Sequence, residues 1–548
     1  MNSFIEKAEP NKRNYFIILK YFLCIFIMLI GGLYYYYLLS LYYPSNEQIA
    51  AILTHYYHDK LTWNSVPLNN LFQIVSFLSY KIGGASVFSV RLFFATMQSF
   101  VFLFASILLI CKYTSFDDLL ISAPIFAFMA LLLHPLGGVA GFGIVSPMIV
   151  NLFYNDHQAP VVIAMLSFVI FELYERCKDK KKKILILLLL FIVSLHGILK
   201  TDLCYSLIFL APLIMILFIR LLRRKQYIPS IIAIASIFVS LIVLTRRLPS
   251  VAGSFFWSID SVTSYSGPFY GSTSWMSSSE LIDHMIKYMK NLLIFSNSDF
   301  SGYPLIDGYS FIFVIRVLLV ILGLCLSVYV VYSSIKGITQ EHAISLTDEL
   351  IAWSIILQSM IYILTAFAGI TDQFRYIWDI VILIPLLLCR TIPKFIKFIN
   401  QRFDAKSYKT ILLSIAFLFI SLNISYVGAG TEKYSEDFED ELNNVCSFIS
   451  EREAGNEYHE AIGIGPYWFL GRLVIETGEV FVNNSDNDET YNPKYNKSIR
   501  YIISNVDKSD HPAGMLRIGR VDDHDIRERF GDPIDVYEQE HINVYIYQ

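Results

Sequence analysis

An α-helical polytopic membrane protein closed by a small soluble α/β domain is the fold class this sequence predicts, and three observations predict it. Hydrophobic residues make up 55% of the 548 and charged residues only 16%. Up to residue 430 the apolar runs are far longer than a soluble core helix needs. From Thr431 the composition becomes that of soluble protein, with charge spread over about 118 residues. The net charge of −4 says little about partners, because in a membrane protein the distribution of charge outweighs its sum.

The first run, Tyr15 to Tyr43, is too long for a secretory signal and lacks a small-residue cleavage site, so it reads as a retained spanning helix. Lys7, Lys12, Arg13 and Lys20 flank it. About eleven spans follow the apolar pattern, each roughly 16 to 27 residues long. They begin near residues 15, 88, 119, 160, 184, 203, 227, 310, 350, 376 and 410. Three basic clusters set their orientation: Arg176, Lys178 and Lys180 to Lys183; Arg220, Arg223, Arg224 and Lys225; and Arg390, Lys394, Lys397, Arg402, Lys406 and Lys409. All three fall on the side of the amino terminus, which the positive-inside rule makes cytoplasmic. An odd span number then places the carboxyl terminus outside.

Four stretches remain on the outer face: residues 44–86, 134–160, 246–309 and everything after about 428. The second is rich in glycine (Gly137, Gly138, Gly141, Gly143) and too apolar for a plain loop. It reads as re-entrant or as a broken helix pair lining a cavity, and two further short spans, there or in the third stretch, would raise the total to about thirteen. Domain organisation is therefore 1–430, a transmembrane domain with outer loops 44–86, 134–160 and 246–309, and 431–548, an extracytoplasmic α/β domain. In the latter an acidic helix over Tyr434 to Arg452 precedes strand-like runs at Ala461–Ile464, Glu479–Val482, Arg500–Ile503 and Asn543–Tyr547. The seven cysteines show no disulfide or metal-ligand spacing and read as small packing residues.

Candidate chemistry begins with Asn46-Glu47, at the outer end of the first span. Glu47, Ala51, His55 and Asp59 recur at spacing four on one face of an amphipathic stretch. His55 and His58 can share a face and bind a divalent metal, but no clear third ligand accompanies them, so the metal requirement stays open. Trp63, Trp257 and Trp275 in the outer loops fit either sugar stacking or an interfacial aromatic belt.

Glu47, Pro67-Leu68, Gly83-Gly84 and Val90-Arg91-Leu92 together resemble the first outer loop and second helix of GT-C glycosyltransferases, particularly the protein mannosyltransferase and aminoarabinose transferase type. Three later positions extend the resemblance. Asn155-Asp156-His157 is similar to the family's acidic residue at the fourth span. His196-Gly197-Ile198-Leu199-Lys200 resembles its glycine-and-lysine turn between two spans, with Pro212 following. Phe374-Arg375-Tyr376 resembles its Arg-Tyr motif opening a late outer-face helix, with the usual proline delayed to Pro385. The resemblance covers residues 15 to about 430. It departs at Asn46, which stands where the first acid of the family's pair is expected.

The resemblance implies a sugar donor carried on a polyprenyl phosphate in the bilayer, and an outward-facing acceptor: an envelope glycan, lipid, O-antigen or protein. Glu47 is then the base that takes the acceptor proton, with Asp156 and Asp59 as the other catalytic candidates. Arg375 and Lys200, with Tyr376, Arg246 and Arg247 beside them, are the candidates for binding the departing phosphate. His55, His58 and His157 are candidate metal or acceptor contacts. The resemblance also implies transfer with inversion, a bacterial inner membrane, a cytoplasmic amino terminus and a periplasmic or extracellular terminal domain. No nucleic-acid partner is expected. Three other readings stay open: a polysaccharide polymerase, a transporter of lipid-linked glycans, and a catalytically inactive relative.

Overall fold

The computed structural model describes residues 21–22, 24–33, 71–113, 155–200, 205–225, 279–296, 308–339, 344–365, 379–400, 436–455, 462–465, 467–483, 498–505, 531–539 and 542–547, with scattered single positions. In chain order the helices of the first 430 residues are α1 (Leu71–Gly83), α2 (Val87–Lys112), α3 (Asn155–Arg176), α4 (Lys180–Lys200) and a π-helical turn, Ser206–Leu210, running into α5 (Ala211–Arg223). Next come α6 (Leu281–Phe295), α7 (Gly308–Lys336), α8 (Leu346–Leu364) and α9 (Ile380–Asn400). The terminal part contains α10 (Glu436–Arg452), β1 (Gly463–Gly465), α11 (Tyr467–Thr477), β2 (Phe481–Asn483), β3 (Tyr501–Asn505), β4 (Asp535–Glu538) and β5 (Ile542–Ile546). These elements form two compact units. One comprises Met1–Tyr35, Ala95–Leu136 and Asp156–Gly430, and the other Tyr36–Phe94, Gly137–Asn155 and Thr431–Gln548. Each unit is assembled from three separate stretches of the chain.

Among the described residues four helices are long and apolar enough to cross a membrane: Val87–Lys112, Ser206–Arg223, Phe313–Lys336 and Leu346–Leu364. Shorter apolar helices are Cys24–Leu33 and Ile380–Pro393. The expected starts near 88, 160, 184, 203, 310, 350 and 376 each coincide with a described helix. Those near 119, 227 and 410 fall largely or wholly outside the described residues.

The first unit is built around α8, whose face toward its neighbours α5, α6, α7 and α9 takes up most of its residues. The surrounding helices have apolar residues facing out. On α4, Ile184, Leu185, Leu188, Phe191 and Ile192 are exposed, while Leu190, Ser194 and Gly197 are turned inward. On α7, Phe311, Val314, Leu318 and Val328 are exposed, and Arg316 and Ser327 are buried. Hydrocarbon outside and polar side chains inside reverse the pattern of a soluble bundle, and the architecture is that of a helical membrane protein.

The inner face of α4 is made of small residues so that another ring can approach. A Cβ added at Gly197 would lie 2.7 Å from the ring of Tyr205, whose hydroxyl donates to Ser194 Oγ at 2.9 Å and lies 2.9 Å from Ser167 Oγ. Close approach through a small residue is how membrane helices gain packing contact without a hydrophobic driving force. Gly197→Val is therefore expected to destabilise the bundle by about 1–3 kcal/mol, read as a lower unfolding temperature of the purified protein.

In the second unit the terminal sheet has the order β2-β1-β3-β5-β4. β1 pairs in parallel with both β2 (Gly463↔Phe481) and β3 (Gly463↔Tyr501), while β5 runs antiparallel to β3 (Tyr501↔Ile546) and to β4 (Asp535↔Ile546). Parallel neighbours need a crossover, and α11 supplies it between β1 and β2. Gly463 carries no side chain because the Phe481 ring lies across it, 2.3 Å from where a Cβ would stand. The amphipathic face of α10 buries Leu442, Val445, Cys446 and Ile449 at helical spacing. Beyond it, Phe448 stacks on Tyr537 of β4 at 4.2 Å between centroids. Glu453 accepts from Arg500 Nη1 at 3.1 Å and from the Tyr501 hydroxyl.

Three groups in this unit hold their protons unusually tightly. Burial pushes the Cys446 thiol up to about 12, and burial with the nearby Glu479 carboxylate pushes the Tyr56 phenol up to about 12. Burial and the bond to Glu453 raise Tyr501. A folded-state pKa above the unfolded one contributes stability that is complete below the ordinary value and is lost as pH rises. Alkaline titration is therefore expected to loosen this unit progressively from about pH 9 to about pH 12, seen as proteolysis of the region after residue 430 at pH values where cleavage is otherwise slow.

Candidate functional site

One end of the bundle is closed by charge. Arg390, fully buried on α9, donates from Nε to Asp348 Oδ1 at 2.7 Å, from Nη2 to Glu172 Oε2 at 2.7 Å and Ser345 Oγ at 3.2 Å, and from Nη1 to the carbonyl of Leu108. Asp348 also accepts from Lys112 Nζ and, at 3.0 Å, from the backbone N–H of Ser345, closing a capping box at the start of α8. Glu172 takes Arg176 Nε at 2.6 Å, and Glu349 takes Arg220 Nη2 at 2.8 Å and Ser334 Oγ at 2.8 Å. Glu175 accepts from the N–H groups of Leu346 and Thr347 at the amino end of α8, where the helix dipole favours a carboxylate. Charges balance, with four cations against four carboxylates.

Of the basic clusters that set the expected orientation, Arg176, Arg220 and Arg390 are each paired with carboxylates on α3 and α8. The ionisable residues are also not confined to span ends: Arg316 is buried well inside α7, and Glu172 and Arg390 lie more than a turn from the ends of their helices. An apolar pattern broken by one charge cannot reveal whether that charge faces lipid, water or a partner.

Toward the carboxyl end of α8 the core is polar but uncharged by pairing. The Tyr288 hydroxyl on α6 lies 2.6 Å from Ser359 Oγ, and Asn291 Nδ2 donates to the Tyr362 hydroxyl at 2.8 Å. Gln358 Nε2 donates to Asp379 Oδ2 at 2.8 Å and to Ser354 Oγ at 3.0 Å. Beside these residues a cavity of about 10 Å³, the space of one water molecule, is lined by Met129, Leu292, Ser296, Arg316, Val320, Val381, Ile384 and Pro385. Arg316 Nη1 donates to the carbonyl of Ser296 at 3.3 Å.

Of the residues singled out in the sequence, Asp156 and His157 stand in the first turn of α3 and Lys200 ends α4. The stretch His196–Lys200 is therefore the close of a helix and not an inter-span turn. Arg91 stands in the second turn of α2, and Gly84 terminates α1 at φ +66, a left-handed position suited to glycine. His55 is buried, 2.9 Å from Ser76 Oγ through Nε2, with the rings of Phe77 and Tyr80 at 5.5 and 6.0 Å. Glu47, His58, Asp59, Arg246, Arg247, Arg375 and Tyr376 lie outside the described residues, as do Trp63, Trp257 and Trp275. Among the described residues no group of three or more His, Cys, Asp and Glu can hold a metal ion.

Sequence reasoning did not single out Gln358, Asp379, Tyr288 or Asn291. The signal available was the polar face His284, Tyr288, Asn291 of α6, three and four residues apart, in a segment read only as loop. Along α3 the step from Asp156 to Glu172 is 16 residues, or about 24 Å, so Asp156 stands at the end of that helix away from the charge network. No protein-family model matches this chain, and no curated protein matches it.

Proposed function

We propose that this chain is a membrane glycosyltransferase of the GT-C kind, moving one sugar from a polyprenyl-phosphate donor to an outward-facing glycan, lipid or protein acceptor with inversion. The supporting observation is positional. Asp156 at the start of α3 and Lys200 at the end of α4 both belong to helix ends remote from the charge network, and Arg375 precedes α9 in the sequence. The sequence constellation Glu47, Asp156, Lys200, Arg375 runs in the order the family resemblance requires.

In this reading Glu47 takes the acceptor proton as positive charge develops at the anomeric carbon, and Arg375 and Lys200 neutralise the departing phosphate. About eleven spans, a bacterial inner membrane and an outward terminal domain complete it. The test is purification in mild detergent and mass spectrometry of co-purifying lipid, followed by transfer assays with the lipid found. A bound polyprenyl-phosphate sugar that turns over supports the reading, and a protein that neither retains nor consumes such a donor sinks it. One observation favours transport of lipid-linked glycans as a second reading: Arg316 and Asp379 are ionisable groups buried within the bundle, where transporters place their pathways. Donor translocation without transfer, measured in proteoliposomes, is the outcome it predicts.

A further inference from the structure

We infer that Asp379 and Gln358 form a binding site for one small cation, a proton or a sodium-sized ion, in the core between α8 and α9. The two side chains are each 1% exposed and joined by one hydrogen bond of 2.8 Å. Each still presents an acceptor without a hydrogen-bond partner among the described residues, Asp379 Oδ1 and Gln358 Oε1. Gln358 has committed its amide to Asp379 Oδ2 and Ser354 Oγ, so its carbonyl oxygen belongs to the same small region.

Two buried acceptors on side chains joined by a hydrogen bond, one of them on a carboxyl group, form an arrangement that a positive charge completes. Among the described residues no ion pair reaches Asp379, although Arg316 of the neighbouring α7 is buried in the same unit. The amino end of α9 helps the anion, because the backbone N–H groups there favour negative charge by about 0.3–1 kcal/mol. Leaving a carboxylate buried without a counter-charge costs several kcal/mol, so the dipole alone cannot hold it. Sharing a proton, or coordinating a sodium-sized ion through oxygen ligands, removes that cost and gives Gln358 Oε1 its partner. The Tyr288 and Ser359 hydroxyls, 2.6 Å apart, add oxygen to this part of the core.

The titratable or charged groups of α6, of the part of α7 around Arg316 and of the carboxyl end of α8 are Asp283, His284, Lys287, Tyr288, Lys290, Arg316 and Tyr362. Asp283 and Lys287 pair with each other at 2.7 Å and are exposed. His284 is buried with Nδ1 lacking a hydrogen bond among the described residues, so a pH response needs a control there.

The test measures the unfolding temperature of the purified full chain in sodium against choline at constant ionic strength, and separately across the acid-to-neutral range. It compares wild type with Asp379→Asn, Gln358→Leu and His284→Gln. Asparagine mimics the neutral acid and can donate to Gln358 Oε1, so this variant is expected to fold. A wild-type rise of about 3 °C or more in sodium, absent from Asp379→Asn and diminished in Gln358→Leu, identifies a sodium-sized ligand. The same pattern on acidification, retained in His284→Gln, identifies a proton. Should Asp379→Asn not accumulate, Gln358→Leu carries the test alone. Wild type indifferent to both changes, a response unaltered in the Asp379 and Gln358 variants, or an acid response abolished by His284→Gln overturns the site. Because unfolding is the readout, failure here leaves the glycosyltransferase reading untouched, and failure of that reading leaves this site untouched.

Discussion

Arg390→Met is expected to cost the protein about 3–5 kcal/mol, enough to remove most folded material from the membrane. The guanidinium joins Glu172 on α3, Asp348 on α8 and the Leu108 carbonyl on α2, so its loss leaves two buried carboxylates with one cation each, Arg176 and Lys112, and the network with an uncompensated negative charge. The cost arises from that uncompensated buried charge more than from any net gain the pairs provide, since desolvation offsets much of a buried ion pair's attraction. Two comparisons test this origin. Arg390→Lys is expected to rescue poorly, because a single ammonium cannot span the fork that reaches Asp348 and Glu172 at 2.7 Å each. Adding Glu172→Gln to Arg390→Met is expected to recover about 1 kcal/mol or more, because it removes one negative charge while Arg176, largely exposed, loses little. Folded yield by size-exclusion chromatography and unfolding temperature read both. A normal yield of Arg390→Met would show that the charge network does not hold the helices together.

On the proposed glycosyltransferase reading, Glu47→Gln is expected to lower sugar transfer by about 10²–10⁴-fold, with no loss of folded protein. The amide keeps the shape of the carboxylate and its acceptor oxygen but cannot take a proton, so the change isolates the general-base role. Arg375→Ala and Lys200→Ala are expected to act on the other side of the reaction by leaving the departing phosphate without counter-charge. Their transfer should fall most with donors whose phosphate leaves least readily. Full activity in all three variants removes the catalytic assignment, and retained activity in Glu47→Gln alone moves the base to Asp156 or Asp59. Because Asn46 stands where the resemblance expects an acid, Asn46→Asp is the informative gain-of-function partner: a rise in transfer places the reacting proton between the two positions.

The terminal unit shows how much local pattern can carry. The acidic helix expected over Tyr434–Arg452 is α10, and four of the five strands fall within a few residues of the expected runs. β4 escaped because Asp535-Val-Tyr-Glu538 is a four-residue edge strand with a charge at each end, legible only through its pairing with β5. The π-helical turn at Ser206–Leu210 and the helix α6 escaped for related reasons. A π turn has no composition of its own, and α6 exposes Ile282, Met285 and Ile286 while burying His284, Tyr288 and Asn291, so its polar face looks like loop.

Among candidate functional residues the division is sharper. A carboxylate beside a span, a lysine at a span end and an arginine before a late span are visible because each is costly to place in a membrane and therefore stands out from apolar neighbours. Which of them meet is not visible, since residues such as Lys112, Glu172, Asp348 and Arg390 are separated by up to 278 positions and only helix packing brings them within ion-pair distance.

By itself the sequence determined the class of this protein: apolar run length demands helices whose backbone groups are satisfied internally, and the change of composition after residue 430 marks where that demand ends. Only the tertiary structure decided what the charges do. Hydropathy registers the cost of burying Arg390 or Asp379, but whether that cost is met by Asp348 and Glu172, or left for a ligand beside Gln358, depends on which helices lie side by side.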